Sequence, residues 1–184
     1  MNILACDSTR DELLVVLAVG EKVYHKSVSG KKGHSPLIME LIDSLFKEAN
    51  LTPKEIDVYA VCVGPGSFTG IRIGIATFNA LAYATGAKRV EVNSFELLSY
   101  GIKDGAFSID AGNGNLYVAK KVGGKIEMSF LEKGEIADCE FISREVDYPT
   151  AFKNIVIEKC ENNDYADGFK PLYLRKSQAE RNLD

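Results

Sequence analysis

Histidine is nearly absent from this 184-residue chain, which carries only His25 and His34. Neither has a second histidine four positions on, so imidazole cannot build a helical metal face. Cysteine is sparse too: Cys6, Cys62, Cys139 and Cys160 lie too far apart in sequence for a C-x-x-C redox or zinc pair. Cys6 and Cys62 fall inside apolar runs, where a thiol behaves as a small hydrophobe, a usage that suits a reducing cytosol. A basic excess is missing, with 22 Lys and Arg against 26 Asp and Glu and a net charge of −4. A free-standing nucleic-acid binder needs the opposite balance to displace counterions from phosphate. The pairs Lys31–Lys32 and Lys120–Lys121 therefore read as solvated surface. No apolar run reaches the ~18 residues of a membrane span. Met1 leads into a strand interrupted by Asp7, which leaves no room for the apolar stretch of a signal peptide. These absences together lead us to expect a cytoplasmic protein.

What remains is an ordinary globular balance, 46% hydrophobic and 26% charged. The length suits one domain or two small lobes. The first third predicts a meander of three strands, Asn2–Cys6, Leu13–Val19 and Val23–Ser29, joined by polar turns. After the loop from Gly30 to Ser35, Ser35 and Pro36 are placed to start a helix running to Ala49. At ~100° per residue, Leu37, Leu41, Leu45, Ile38, Ala49, Ile42, Phe46 and Met39 follow one another around an arc of roughly 200°. That is about twice the stripe needed to pack on one sheet. Either a second helix of the chain covers the surplus or a partner does.

Asp57–Val63 predicts a central strand that feeds Gly64-Pro65-Gly66-Ser67-Phe68-Thr69-Gly70. A helix over Ile71–Thr85 follows, apolar almost all round except for Arg72 and Asn79, and Gly86 stops it. Lys88–Val92 then predicts a strand, and Ser94 a helix cap with Glu96 in the first turn. Beyond residue 100 glycines punctuate short strands at Ala106–Asp110 and Leu116–Val122, which predicts a second, mainly sheet lobe. The pattern weakens after Glu127. Phe152–Glu158 reads as a further strand and Lys170–Arg175 as an extended segment.

The strand–glycine loop–helix unit is the most specific chemical feature. Gly64, Gly66 and Gly70 allow sharp turns, and Ser67, Thr69 and Arg72 stand where a helix N-terminus offers unpaired N–H groups to an anion. It is not a P-loop, because Ile71-Arg72 follows the last glycine in place of Lys-Ser/Thr. It is not the Rossmann G-x-G-x-x-G, being one residue longer. The other reading is a tight crossover whose glycines permit close packing. Ser67 lacks the flanking glycines of a nucleophile elbow. Asp7 with Thr9, and Asp110 with Gly112, read either as two phosphate-facing turns, one per lobe, or as ordinary Asx turns.

The run from Met1 to Ala18, the run from Gly33 to Gly86 containing GPGSFTGIRIG, and VEVNSFELL closely resemble the TsaB (YeaZ) family. Ser108–Val118 and Pro171–Arg175 resemble it more loosely. The resemblance implies an α/β fold of the actin/Hsp70 type (ASKHA, ribonuclease H-like), with a first lobe over residues 1–100 and a reduced, degenerate second lobe over 101–184. It implies a non-catalytic subunit of the machinery that installs threonylcarbamoyl on adenosine 37 of tRNA. The expected partners are a catalytic TsaD-like chain and a TsaE-like ATPase, with homodimerisation when the chain is alone and tRNA reached only through the complex. In the related TsaD family a His-x-x-x-His pair holds a metal. Aligned on Val92-Asn93, those positions are Ser94 and Leu98, which cannot ligate one, so neither metal nor cofactor is expected. The family pairs through two first-lobe helices, which places Ile38, Leu41, Ile42, Leu45, Ile75 and Phe78 in a helical interface, some of them as core. The loop after Asp110 reads Ala-Gly-Asn-Gly where relatives look arginine-rich, which weakens the expectation of tRNA contact there. Two other readings stand beside this one. One is a nucleotide-binding or metallopeptidase-like enzyme that uses the glycine loop, and the other is a homodimeric structural protein.

Overall fold

The computed structural model describes residues 1–29, 35–135 and 140–175. Its main element is a five-stranded sheet of β1 (Asn2–Asp7), β2 (Glu12–Val19), β3 (Lys22–Ser29), β4 (Val58–Cys62) and β5 (Lys88–Val92). The strand order is β3-β2-β1-β4-β5. The meander pairs antiparallel, while β4 and β5 join parallel. The first strand and β4 sit in the middle, covered on both faces, so nearly every residue in them is buried.

Alternation along the strands divides the core in two. Leu4, Cys6, Val15, Leu17, Tyr59 and Val61 face α1 (Ile38–Ala49) and α2 (Phe68–Thr85). Ile3, Ala5, Val16, Ala60, Cys62 and Val90 face α3 (Ser94–Leu98) and α4 (Tyr148–Glu161). A second antiparallel sheet orders β6 (Gly105–Gly112), β7 (Asn115–Val122) and β8 (Lys125–Leu131). Phe107 and Ala119 of this sheet pack on Phe95 of α3. Position 100 thus separates the sheets in chain order, while α4 and the residues Tyr165, Phe169 and Leu172 beyond it return to the first sheet.

Several sequence expectations change. The segment Phe152–Glu158, expected as a strand, lies inside α4. Its β-branched run Ile155-Val156-Ile157 mimics a strand, but Asp147 accepts a hydrogen bond from the Thr150 N–H and Pro149 lies in the first turn. Phe152, Ile155 and Val156 then fall at i, i+3 and i+4 and are buried together. Strand β8 was missed beyond Glu127, although Gly123 and Gly124, at φ of 57° and 87°, supply the two-residue hairpin turn that announces it. Helix α1 starts two residues later than expected: Ser35–Leu37 form a turn and Leu37 occupies the cap position without a side-chain cap. Helix α2 starts three residues earlier, inside the glycine loop, with Ser67 as its cap. Asn93, not Ser94, caps α3, in a reciprocal box with Glu96. His34 and most of the loop before Ser35 lie outside the described residues, as does Cys139.

The turn after β1 meets α2 most tightly at the helix's glycines. A Cβ on Gly70 would overlap the Ser8 carbonyl oxygen, and one on Gly74 would overlap Ser8 Oγ. Alanine at a helical position normally gains about 1 kcal/mol over glycine. Here the added methyl has backbone in its way, and overpacking of this kind costs about 1–3 kcal/mol. Gly70→Ala should therefore lower stability by up to about 2 kcal/mol net in urea denaturation, and a raised midpoint would remove the packing explanation.

Candidate functional site

The turn after β1 and the start of α2 build the candidate site. Asp7 ends β1 and is 1% exposed. Its Oδ1 accepts from the Thr9 N–H at 2.9 Å and from Thr9 Oγ1 at 2.7 Å. Its Oδ2 accepts from Arg10 Nε at 2.9 Å. Both oxygens therefore have partners within three residues, and the Arg10 guanidinium lies 3.8 Å above the Tyr148 ring of α4. This is an Asx turn whose carboxylate is turned inward.

The glycine loop closes over the same turn. Ser67 N–H donates to the Thr9 carbonyl at 2.7 Å, and Ser8 Oγ donates to the Gly70 carbonyl at 2.8 Å. A Cβ on Gly66 would stand 2.5 Å from the Thr9 carbonyl oxygen. Ser67 Oγ accepts from Gly70 N–H at 3.2 Å, the ordinary cap that satisfies one orphan donor. Gly66 and Gly70 thus admit the Ser8–Thr9 backbone, and Gly64 lies against the Leu172 carbonyl and the Ile71 side chain, which is the close-packing reading of the motif. Thr69 and Arg72 are exposed at the rim, outside this contact, and Ser67, also exposed, joins it through its backbone N–H.

Asp7, Thr9, Gly66 and Gly70 are thereby brought together. Asp110 and Gly112 are not joined to them by any hydrogen bond among the described residues. They sit at the end of β6, where Asp110 Oδ1 accepts from Gly112 N–H at 2.8 Å in an exposed Asx turn. Ser94 Oγ donates to the Pro65 carbonyl at 2.6 Å and lies 3.3 Å from Cys62 Sγ, so it ties α3 to the glycine loop. Leu98 is half-buried against the second sheet's core. Among the described residues no three His, Cys, Asp or Glu side chains converge as a metal site requires. No helix among them is long and apolar enough to cross a membrane.

The residues expected at a helical interface need correction. Ile38, Ile42, Leu45 and Phe78 are at most 1% exposed and Ile75 is 8% exposed, so all five are core of this chain. Leu41 is half-buried against the same cluster. The wide arc of α1 is taken up largely by the chain itself, and Met39, Glu40, Asp43, Ser44, Lys47 and Glu48 are what α1 exposes. Helix α2 differs. Phe68, Arg72, Tyr83, Ala76, Thr69, Ala80, Ile73, Ala84 and Thr77 follow one another around ~180° of the helix, and all are exposed or half-exposed. Tyr83 is 85% exposed. Arg72 is the single charge in the helix. The signal for this face was present in the sequence, as the alanines between the larger apolar residues of α2.

A cleft of about 540 Å3 lies between α3, α4 and the second sheet, lined by Glu96, Tyr100, Lys121, Met128 and Lys159 among others. Lys159 Nζ pairs with Glu96 at 3.0 Å and Asp164 at 3.3 Å, and Lys121 Nζ donates to Ser99 O and Oγ at 3.2 Å. Its cations are engaged by the chain.

Burial pushes the Cys6 thiol well above its ordinary range, and the nearby Asp7 charge adds to the shift. Cys62 is raised for the same two reasons. A raised thiol pKa keeps the unreactive SH form at pH 8. Iodoacetamide at pH 8 should leave Cys6 and Cys62 unmodified in the native protein by peptide mass spectrometry, and rapid labelling of either would contradict the buried placement.

A family model described as "TsaD: tRNA N6-adenosine threonylcarbamoyltransferase" matches residues 24–137. The tRNA threonylcarbamoyladenosine biosynthesis protein TsaB of Bacillus subtilis is 32% identical over 122 residues, covering 64% of this chain and 53% of that protein. The tRNA N6-adenosine threonylcarbamoyltransferase of Chlorobium luteolum is 31% identical over 103 residues, 50% of this chain and 30% of that one. The matched region is thus about half the length of the first relative and less of the second. In solved structures, a protein described as similar to peptidase YEAZ from Pseudomonas aeruginosa superposes with a TM-score of 0.82 at 18% identity, over 95% of this chain and 99% of that one. YeaZ from Pseudomonas aeruginosa superposes at 0.77 and 16%, over 94% and 99%. The α/β fold is shared with these YeaZ structures and is consistent with the actin/Hsp70-like type, and the chain belongs to the family that the TsaD model describes, with TsaB (YeaZ) proteins among its relatives.

Proposed function

We propose that this chain is a non-catalytic partner subunit of the assembly that makes threonylcarbamoyladenosine at position 37 of tRNA. It docks a TsaD-like catalytic chain through the outer face of α2, and the pair helps recruit a TsaE-like ATPase. Alone, the chain pairs with a second copy through the same face, and tRNA is reached only through the complex, in the cytoplasm. The observation that carries this reading is that face: half of an 18-residue helix left exposed with one charge on it. Ala76, Ala80 and Ala84 let another helix approach closely, and Tyr83 is an anchor of the kind that dominates interface energetics. Helix α1 contributes Met39 and its polar edge.

The runner-up, an enzyme that uses the glycine loop, is disfavoured by the state of Asp7. Its two oxygens are engaged by Thr9 and Arg10, and the turn behind it is closed by Gly66 and Gly70. A catalytic carboxylate must reach the reacting proton or metal. We assign Asp7 and Thr9, and likewise Asp110 and Gly112, to turn geometry.

Two measurements test the proposal. Ala80→Arg should abolish dimer formation in sedimentation and weaken capture of the TsaD-like protein by about 100-fold or more without lowering the melting temperature. A monomeric wild type that fails to bind that protein would overturn the reading. Asp7→Asn should lower stability by about 1–3 kcal/mol while leaving reconstituted tRNA modification at the level of the remaining folded protein. A stable Asp7→Asn variant with modification lost would instead favour the enzyme.

A further inference from the structure

Residues 169–173 run from the β5 side of the first sheet to the N-terminal end of α2 and are held along that path. Phe169 is 4% exposed in the first core. Its N–H donates to Asn79 Oδ1 at 3.0 Å, and its carbonyl accepts from Asn79 Nδ2 at 3.2 Å. The side chain of Asn79, on α2, thus grips one peptide from both sides. Lys170 N–H donates to Glu91 Oε1 at 2.6 Å and Leu172 N–H to the Val63 carbonyl at 2.8 Å. The path ends where the Tyr173 ring stacks on Phe68, with centroids 5.0 Å apart and planes at 27°.

Arg72 joins this stack. Its guanidinium carbon lies 3.7 Å from the Phe68 ring centroid, and its Nε donates to the Tyr173 hydroxyl at 3.0 Å. The terminal nitrogens Nη1 and Nη2 have no hydrogen-bond partner among the described residues, and no carboxylate there forms an ion pair with Arg72. A guanidinium held against a ring, with its outer N–H groups open, is a receptor for the two oxygens of a carboxylate. Phe68 and Tyr173 are still 37% and 40% exposed. On the helix wheel Phe68 and Arg72 form the edge of the face that runs through Ala76 and Ala80 to Ala84.

We infer that the tail segment 169–173 is one wall of the α2 docking face, and that Arg72, held by Phe68 and Tyr173, binds a carboxylate of the docked chain. The inference rests on the pairing proposed above. The partner it fits is a TsaD-like chain that lays a helix of small and apolar side chains along α2 and brings an Asp or Glu to the end near Phe68. Arg72 supplies the specificity and Tyr173 positions it, because the hydroxyl fixes Nε and the ring closes one side of the pocket.

The test is calorimetric binding of the full chain to the TsaD-like protein of the same organism, at low and high salt. Arg72→Gln should weaken binding by about 10- to 100-fold and flatten its salt dependence. Tyr173→Ala should weaken it by about tenfold, whereas Tyr173→Phe, which keeps the ring, should lose much less. Ala80→Arg is the reference. If Ala80→Arg abolishes binding while Arg72→Gln binds like wild type with the same salt dependence, this inference is wrong and the pairing stands. If Ala80→Arg also binds like wild type, the pairing itself is wrong. Arg72 is exposed, so its substitution leaves the fold intact, and melting curves check this directly.

Discussion

The backbone of Ser8 and Thr9 lies against the first turns of α2 so closely that no side chain fits between them, and much of the molecule is arranged around that contact. Gly66 and Gly70 are the residues that permit it, and Gly74 makes room for the Ser8 side chain. Hydrogen bonds from Ser67 N–H to Thr9 O and from Ser8 Oγ to Gly70 O fix the spacing. With the turn held there, Asp7 points inward and draws Thr9 and Arg10 around itself, and Arg10 reaches the Tyr148 ring of α4 on the other face of the sheet. Ser94 fastens α3 to the same loop through Pro65. A loop with the look of an anion cradle is thus the junction where four elements meet.

That junction also sets the position of α2, and through it the surface available to another protein. One side of the helix is pulled into the core by Ile71, Ile75, Phe78 and Ala82. The other side is left as alanines, Thr69, Ile73, Thr77 and Tyr83, with Arg72 near the loop end. Helix α1 lies on β2 and β3 and buries Ile38, Ile42, Leu45 and Phe46 in the same core, so its outer side is mostly polar. Two helices of similar apolar content therefore end up with different roles, because the sheet accommodates nearly all of one and half of the other.

The second sheet is attached differently. Phe107 and Ala119 insert against Phe95, and Lys121 bonds the backbone and hydroxyl of Ser99. Farther along, Ile109, Tyr117 and Phe130 are only half-buried, with the Arg175 guanidinium carbon 4.7 Å from the Phe130 centroid. The tail that stacks Tyr173 on Phe68 thus continues to β8, so the same short segment touches α2 and the second sheet.

Much of the first sheet was legible in the sequence because strand alternation and glycine punctuation are local: a residue's neighbours two positions away already say which face it takes. The meander, β4, β5 and the GPGSFTGIRIG unit fall in this class, as does the family resemblance carried by that unit. What the tertiary structure decided is nonlocal. The wheel of α1 could show a wide apolar arc, but only the placement of β2, β3 and α2 around it determines that the arc is largely covered by the chain itself. The run Ile155-Val156-Ile157 is compatible with strand or helix, and packing of Phe152, Ile155 and Val156 on the first sheet selects the helix. The glycine loop is the clearest case. By itself its sequence allowed both an anion site and a close crossover, because both need residues without a Cβ. The backbone of Ser8 and Thr9, some sixty residues away in sequence, occupies the space that distinguishes them.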